Sequence, residues 1–247
     1  MASDGRLYPA NLRNVMSRQT ETLAKIDLFR SLDSTKIQRL DTQCSWRRAS
    51  RNELIIDYQD DSNDVFFVVS GAVQVKLQSV SGREALLREI NAGEYFGELA
   101  AIDGQPRSAS IVAVTDVTIA RMPASVFRAT VHANPDVCDQ LLSLLSSQIR
   151  MLANRVNEFT TLDVRHRIHA ELLRLARPTD NSPGQAVISP PPVQTEIAAR
   201  VSTRREAVAR ELNALERAGL IQRRRGAIVL TDTAALRKMI DDAAGLD

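Results

Sequence analysis

The sequence contains little cysteine, few aromatic residues and almost no net charge. Its 247 residues include two cysteines, Cys44 and Cys138, 4% aromatic residues and a formal net charge of +2. The two cysteines are far apart and have no CxxC or Cys-His spacing, so we expect neither a disulfide framework nor a zinc site. So small a net charge indicates no nucleic-acid or membrane partner by itself. The function must therefore be sought in local patterns.

Long apolar runs and catalytic motifs are also missing. No stretch approaches the roughly 18 apolar residues that a membrane helix needs, and the first residues lack the apolar centre of a signal peptide. We therefore expect a cytoplasmic protein without membrane contact. His132, His166 and His169 are scattered, and no nucleophile-base constellation or Walker-type loop is present, so neither a metal site nor an enzyme is predicted.

The composition that remains is ordinary for a globular protein, with 44% hydrophobic and 25% charged residues. Residues 20–43 have helical spacing that breaks at residues 31–34, where Asp33 or Ser34 can cap a second short helix. From Trp46 to Met122 the pattern changes to alternation, as at residues 73–77, and turn signals recur every 10 to 15 residues. Residues 20–134 are therefore predicted to form short helices and an antiparallel barrel or jelly roll.

Residues 135–160 are predicted to form one long helix, because no Gly or Pro occurs between Pro135 and Pro178. Apolar residues recur along it in alternating steps of four and three, which is a heptad pattern. This seam indicates parallel dimerisation, although a helix packed on its own domain has the same pattern. The seam residues are Cys138, Leu142, Leu145, Ile149, Leu152, Val156 and Phe159.

The last third of the chain divides at a proline-rich segment. Residues 161–192 are interpreted as a hinge helix followed by a linker, since residues 177–192 hold five of the nine prolines. Residues 193–247 predict a short helix from Gln194, a turn at Val201 and Ser202, a second helix from about Thr203 to Ala218, and two strands around a basic turn. This order is that of a winged helix-turn-helix.

Arginine is concentrated in this module. Eight arginines, no lysine and four glutamates lie between Glu196 and Arg225. The guanidinium group matches phosphate and the O6/N7 edge of guanine. Arg204, Arg205, Glu206 and Arg210 lie at the start of the second helix, where a recognition helix enters the major groove. A solvated ion-pair face is the alternative, but the layout favours binding to double-stranded DNA.

The segment GEYFGELAAIDGQPRSAS, residues 93–110, places a Glu and an Arg close together between predicted strands. An exposed ion pair of this kind would contribute little. Gly97 directly before Glu98, and Ser108 directly after Arg107, indicate instead a compact anion that is held by backbone amides and by charge.

Barrel, long helix, linker and winged helix-turn-helix follow in the order of the CRP/FNR family of bacterial transcription regulators, and the chain resembles this family from about Thr22 to Leu230. The resemblance implies an α+β fold with an N-terminal cyclic-nucleotide-binding β-roll. Residues 93–110 resemble that domain's phosphate-binding cassette. The resemblance implies that Glu98 accepts a hydrogen bond from the ribose 2′-hydroxyl and that Arg107 pairs with the cyclic phosphate. Together with Gly97, Leu99, Ser108 and Ala109, these two residues would form the cradle that holds the sugar and the phosphate.

The sequence departs from the family where the base is read. Cyclic-AMP-responsive members usually carry a Thr-Ser pair on the long helix, and the alignment places Leu152 and Ala153 there. Neither side chain can form a hydrogen bond, so cAMP, cGMP or both remain open as the allosteric ligand. Asn154 or Arg155 could read the base if the helix rotates. Ala109 favours cAMP, because cGMP sites often carry Thr at that position.

At the DNA end, RREAVAR (residues 204–210) is similar to the family's recognition helix. The resemblance implies contacts from Arg205 and Arg210 to guanine and from Glu206 to cytosine, hence palindromic sites with TGTGA-like halves. Phosphate contacts would come from Thr195, Arg204, Arg223, Arg224 and Arg225. It also implies a homodimer and contact with RNA polymerase.

Three alternatives stay open. One is a regulator of the same fold that binds DNA constitutively or senses another ligand, such as cyclic di-GMP. The second is a nucleotide-binding regulatory subunit of an enzyme. The third is a haem-based gas sensor, although no Cys or His is evident as an axial ligand. An iron-sulfur sensor is disfavoured, because the N-terminal cysteine cluster of that branch is missing.

Overall fold

The computed structural model describes residues 22–78, 84–179 and 182–245. No helix within these ranges has the length and hydropathy needed to cross a membrane. The chain forms two compact units. Of the described residues, one unit contains 22–78 and 87–143, and the other consists chiefly of those from Leu144 onwards.

The first unit begins with short helical turns. Two 3₁₀ turns, Leu23–Lys25 and Asp27–Phe29, precede helix α1, Ser34–Gln43. Of the two caps that the sequence allows, Asp33 and Ser34, the structure has Asp33, whose side chain accepts a hydrogen bond of 2.9 Å from the Lys36 N–H. The sequence predicts a helix before the break at residues 31–34, and the described residues of that segment form these two 3₁₀ turns. Residues 20 and 21 lie outside the described residues.

Eight strands form two four-stranded sheets in the first unit. Their order is β1-β8-β3-β6 in one sheet and β2-β7-β4-β5 in the other, and the described pairs of neighbouring strands are antiparallel. Alternation on β4 places Val73 opposite Ala113 and Val75 opposite Ile111. The predicted β-roll is confirmed. The strands are β1 (Ser45–Ala49), β2 (Leu54–Ile56), β3 (Val65–Ser70), β4 (Ala72–Gln78), β5 (Glu84–Asn91), β6 (Tyr95–Phe96), β7 (Ser110–Ala113) and β8 (Val117–Met122).

Three helices accompany and follow these strands. Helix α2, Glu98–Asp103, lies between β6 and β7, and α3, Ala124–Ala133, follows β8. Helix α4, Pro135–Thr161, is the long helix that the absence of Gly and Pro predicts. Val137 and Leu141, near its N-terminus, are buried, so the first turns pack as a conventional amphipathic helix.

The second unit contains a winged helix-turn-helix. Helix α5 (Val164–Leu175) is followed by β9 (Arg177–Pro178), β10 (Ala186–Ile188), α6 (Gln194–Arg200), α7 (Arg205–Arg217), β11 (Ile221–Arg224), β12 (Ala227–Leu230) and α8 (Thr233–Ala244). Gly219, with φ +73°, follows the end of α7, as a C-terminal glycine should. The α+β fold class with a winged helix-turn-helix is confirmed.

The segment interpreted as a linker contains two strands of this unit. The sheet order is β11-β12-β10-β9, and β10 pairs along Ala186, Val187 and Ile188 with β12. The buried Ala186 and Ile188 join the apolar core that also includes Ile168 and Leu172 of α5. The abundance of proline concealed a strand of only three residues, because the prolines flank it rather than interrupt it.

Candidate functional site

Arg107 is held inside the β-roll by neutral oxygen atoms. Its side chain donates from Nε to Ser62 Oγ at 3.0 Å, from Nη1 to the Gly97 carbonyl at 3.0 Å, and from Nη2 to the Asp64 carbonyl at 2.8 Å. The residue is only 2% exposed, and its guanidinium carbon lies 5.7 Å from the centre of the Phe66 ring. Three of its five N–H groups are therefore used in fixing its direction.

Among the described residues, the charge of Arg107 has no close counter-ion. Within the described ranges, no carboxylate lies within 4 Å of its guanidinium nitrogens. Burial lowers the pKa of Arg107, and the more distant Asp64 and Asp60 oppose this shift. An arginine remains protonated at neutral pH in any case. A buried cation whose hydrogen-bond partners are neutral can bind a small anion strongly.

Gly97 is required by this packing. Its φ of +84° is in the left-handed region, and a Cβ atom built on it would lie 2.6 Å from Arg107 Nη1 and 3.0 Å from the Asp64 carbonyl oxygen. Gly97 thus allows the backbone to approach the guanidinium group. The position of Gly97 directly before Glu98 is visible in the sequence, but the clash that requires a glycine there depends on the tertiary position of Arg107.

Glu98 follows at the start of α2 and is 6% exposed. Burial raises the pKa of its carboxyl group above the usual range, while a hydrogen bond from its own backbone N–H and the charges of Arg88 and Arg107 act in the opposite direction. A buried carboxylate of this kind can accept a hydrogen bond from a ligand hydroxyl.

The other predicted cradle residues lie next to these two. Leu99 is an exposed residue of α2, and Ser108 and Ala109 connect Arg107 to β7, where Ser108 is exposed and Ala109 half-buried. Ser110 Oγ accepts from the Tyr58 N–H at 3.0 Å and donates to Asp57 at 3.1 Å. This bond ties the end of the cassette to the loop that carries Ser62 and Asp64.

Sequence reasoning missed the roles of Ser62 and Asp64. Their segment, QDDSND, was interpreted only as a turn. Asp64 also pairs with Arg121, whose Nε lies 2.6 Å from Asp64 Oδ2. The density of polar side chains next to a strand was an available signal, but nothing in their spacing relates them to Arg107.

The predicted base-reading residues belong to the part of α4 in the second unit. Leu152, Ala153 and Asn154 are exposed there. Arg155 differs from them, since it contacts Glu171 of α5 and the backbone of α6. The predicted seam is largely uncovered in the single chain: Leu142 is 55%, Ile149 68%, Leu152 46% and Val156 63% exposed, and Cys138, Leu145 and Phe159 are half-buried.

The predicted DNA-contacting side chains are clustered on the second unit. Thr195 of α6, Arg205 of α7, and Arg223 and Arg224 of β11 line one groove. Arg204 precedes α7 as its N-cap residue, and Arg204, Glu206, Arg210 and Arg225 are exposed. The structure therefore brings the start of α7 together with the wing.

Arg223 is already paired within the module. It forms an ion pair with Glu216 near the end of α7, and its Nη2 donates to Asn213 Oδ1 at 2.7 Å. This hydrogen-bonded pair lowers the pKa of Glu216. The sequence predicts a phosphate contact for Arg223, but nothing in it indicates that Arg223 also attaches the wing to α7. Arg224 donates a hydrogen bond of 3.0 Å from Nη2 to Oε1 of its neighbour Gln222.

Two further side chains position α7. His169 of α5 is fully buried, and its Nε2 lies 2.6 Å from Glu211 Oε1 of α7. Burial lowers the pKa of His169, which favours a neutral imidazole that donates from Nε2. Arg165 Nε donates to the same Glu211 at 3.2 Å. His169 thus has a structural role in this module.

Comparison with protein families divides the chain in the same way. Residues 46–134 match the cyclic nucleotide-binding domain, and residues 166–239 match the Crp-like helix-turn-helix domain. The first match contains Glu98 and Arg107, and the second contains all but the first two residues of α5, then α6, α7 and the wing.

Relatives along nearly the whole chain are transcription regulators. The CRP-like cAMP-activated global transcriptional regulator of Mycobacterium tuberculosis is 26% identical over 219 residues, which cover 88% of this chain and 98% of that protein. The cAMP-activated global transcriptional regulator CRP of Salmonella typhimurium is 28% identical over 193 residues, or 78% of this chain and 92% of that protein.

Solved structures support the fold. A CooA mutant from Carboxydothermus hydrogenoformans has a TM-score of 0.74 at 21% identity, covering 87% of this chain and 94% of that chain. The c-di-GMP responsive global regulator CLP of Xanthomonas campestris has a TM-score of 0.67 at 22% identity, covering 80% and 99%. The two domain matches and the regulator relatives confirm the prediction of a DNA-binding regulator rather than an enzyme. The chain belongs to the CRP/FNR family of transcription regulators.

Proposed function

We propose that this protein is a homodimeric regulator whose binding to palindromic DNA is controlled by a cyclic mononucleotide, cAMP or cGMP. The observation that carries the proposal is the buried Arg107 charge, which is held by neutral oxygens beside the buried Glu98. No other cation of the first unit is described with this combination of burial and neutral partners.

The ligand complements both charges. A cyclic phosphate carries one negative charge, which Arg107 neutralises through a charge-assisted hydrogen bond. The ribose 2′-hydroxyl donates to the Glu98 carboxylate. The backbone around Gly97, Leu99, Ser108 and Ala109 completes the contact with the sugar and phosphate. Such a ligand needs no metal ion, because Arg107 supplies the positive charge.

Base preference depends on α4 in this proposal. Leu152 and Ala153 offer apolar contact instead of hydrogen bonds, so the purine is held mainly by shape and burial. The cAMP-activated relatives and the small Ala109 favour cAMP, and cGMP is the nearest competitor. We therefore expect weak discrimination between the two nucleotides.

The seam on α4 supports the homodimer. Leu142, Ile149, Leu152 and Val156 expose a continuous apolar stripe at heptad spacing, which a second copy of the same helix would cover. In the dimer the two copies of α7 would enter successive major grooves about 34 Å apart. Arg205 and Arg210 would read guanine and Glu206 cytosine, which gives TGTGA-like half-sites. We place this activity in the cytoplasm, with RNA polymerase as a further partner.

The test is DNA binding with and without nucleotide. Fluorescence anisotropy would follow a labelled duplex with two inverted TGTGA half-sites, at fixed salt, as protein is added with cAMP, with cGMP or with neither. We expect nucleotide to tighten binding, Arg107→Ala to abolish this response, and Arg205→Ala to weaken DNA binding strongly while nucleotide binding persists. The proposal fails if both variants behave as wild type.

A second candidate is a regulator that binds DNA constitutively or responds to another ligand. The absence of hydrogen-bonding groups at Leu152 and Ala153 favours it. Tight operator binding by nucleotide-free protein, unchanged by either cyclic mononucleotide, would support this candidate. Repeating the titration with cyclic di-GMP would then separate its two forms.

A further inference from the structure

A buried network of charged side chains in the second unit joins α4, α5 and α6. Its centre is Glu171 of α5, whose side chain is 1% exposed. Arg155 of α4 lies 2.9 Å from Glu171 Oε2, Arg174 of α5 also pairs with Glu171, and Arg200 of α6 lies 3.6 Å from Oε1. Glu158 of α4 pairs with Arg174 and approaches Arg155 at 3.5 Å.

Arg155 joins this network to the backbone of α6. Its Nη1 donates to the Glu171 carboxylate, and its Nη2 donates to the backbone carbonyl of Arg200. Arg200 is the last residue of α6, so this carbonyl is one of those that a helix end leaves without an internal partner. A cation there is also favoured by the helix dipole. One guanidinium group thus holds a side chain of α5 and the end of α6.

The charges of this network nearly balance, but not all of its polar atoms are hydrogen-bonded. Three arginines face two glutamates, and both Glu171 Oε1 and Arg200 Nε are buried without a hydrogen-bond partner. If Arg155 moved away, the buried Glu171 carboxylate would keep less compensating positive charge, which would cost free energy. We therefore expect α5 and α6 to follow a displacement of Arg155 rather than remain in place.

Arg155 is also three residues from Leu152. At a rise of about 1.5 Å per residue, the two positions are less than one helical turn apart along α4. Leu152, Ala153 and Asn154 are the residues that the proposed function places beside the bound base. A shift of this turn of α4 on nucleotide binding would therefore move Arg155 as well.

We propose that Arg155 couples nucleotide binding to DNA binding, by transmitting displacement of α4 to α5 and α6 through its two hydrogen bonds. The inference rests on the proposed function and adds its regulation. It assigns to Arg155 a positioning role in the DNA-binding module instead of the reading of the base.

The experiment measures the coupling factor, which is the operator dissociation constant without nucleotide divided by that with saturating cAMP. The full-length protein and the palindromic duplex described above are used. For Arg155→Ala we expect this factor to fall at least tenfold towards one, while the affinity for cAMP measured by calorimetry stays within threefold. Arg155→Lys keeps the charge but not the fork of two donors, so it should give an intermediate factor.

Arg150→Ala is the matched control. Arg150 is an exposed arginine of the same helix and forms no hydrogen bond or ion pair with the described residues. It should retain the wild-type coupling factor. Glu171→Gln should lower the factor as Arg155→Ala does, and the two changes together should be no worse than either alone.

The outcomes separate the two proposals. A coupling factor of one in the wild type, with cAMP or cGMP, would overturn the proposed function and this inference together. A responsive wild type with an unchanged factor in Arg155→Ala and Arg155→Lys would overturn the inference alone. A merely structural role for Arg155 would lower the melting temperature and leave the factor unchanged, which also contradicts it.

Discussion

Arginine and glutamate occur at both candidate binding surfaces, but in opposite environments. Arg107 and Glu98 of the β-roll are 2% and 6% exposed, whereas Arg205, Glu206 and Arg210 of α7 are exposed. Burial makes each charge in the first unit depend on a small number of fixed partners. Water solvates the charges on α7 until DNA replaces it, so those side chains can be changed without cost to the fold.

This contrast separates two kinds of mutational effect. Changes at Gly97, Glu98 and Arg107 should alter stability and ligand binding together, because the same contacts serve both. Changes at the exposed Arg205 and Arg210 of α7 should alter DNA binding alone.

Arg205→Ala should weaken operator binding by roughly a thousandfold. A bidentate contact to guanine contributes about 2 kcal/mol, and a dimer would lose two of them. The melting temperature and the affinity for cAMP should not change, because the side chain is exposed. Anisotropy and thermal unfolding measure the two quantities. A destabilised variant would break the proposed division.

Ile149→Glu should convert the dimer to monomer at micromolar concentration. The residue is 68% exposed in the single chain and lies on the apolar seam, so a second copy would bury an unpaired carboxylate. Sedimentation velocity reports the change, and operator affinity should fall with it. Arg150→Glu places the same charge on a neighbouring exposed residue that is not part of the seam. An equal effect of both changes would argue against the seam.

Gly97→Ala should weaken cAMP binding about thirtyfold, or about 2 kcal/mol by the usual conversion, because the new Cβ would lie 2.6 Å from Arg107 Nη1. Gly104→Ala is the control: its φ of +70° imposes a similar backbone cost, but nothing lies within 4 Å of its Cβ. Both variants carry the left-handed backbone cost of about 1 kcal/mol, and Gly97→Ala should lose more stability than Gly104→Ala, because its Cβ must displace the buried Arg107 guanidinium group. Only Gly97→Ala should lose ligand affinity, as calorimetry would show, and equal losses would contradict the cradle.

Glu98→Gln should weaken cAMP binding about tenfold, because a charge-assisted hydrogen bond becomes a neutral one. The ligand-free variant should be more stable than wild type at neutral pH. Burial raises the pKa of Glu98 in the folded protein, so wild-type stability from this group is fully present below the unfolded value of 4.5 and is lost as the pH rises through the raised pKa.

The pH dependence of stability tests whether the Glu98 carboxylate destabilises the folded protein. Thermal unfolding of both proteins between about pH 4 and pH 8 should show the advantage of Glu98→Gln growing with pH. An advantage that shrinks as the pH rises would mean that the folded protein stabilises the carboxylate.

Arg224→Ala should have the smallest effect. A lost phosphate contact reduces the slope of log affinity against log salt by about 0.9 for each subunit. The weakening should be the same on the operator and on a scrambled duplex, since phosphate carries no sequence information. Loss of discrimination between the two duplexes would assign Arg224 to base reading instead.

The sequence predicted the elements better than the connections between them. The alternation of β4, the cap at Asp33, the length of α4 and the turn before α7 all follow from local spacing, and they are seen. The strands β9 and β10 were missed because residues 177–192 are rich in proline, and a three-residue strand carries too little pattern to compete with that signal.

The candidate site was predictable only in part for the same reason. Arg107 and Glu98 could be found because they lie in one short segment. Ser62 and Asp64, which hold Arg107, come from a loop more than 40 residues earlier. Arg155, Glu171 and Arg200 are spread over three helices. Contacts of this kind depend on the tertiary arrangement, and no periodicity within one segment records them.

The most direct test of the central claim is a calorimetric titration of cAMP into wild-type protein, Arg107→Lys and Arg107→Ala. The account predicts micromolar binding to wild type, with one site for each subunit. It predicts binding at least tenfold weaker to Arg107→Lys, which lacks the fork, and no measurable binding to Arg107→Ala. Equal affinities of the three proteins would contradict the claim that the buried Arg107 guanidinium binds the cyclic phosphate.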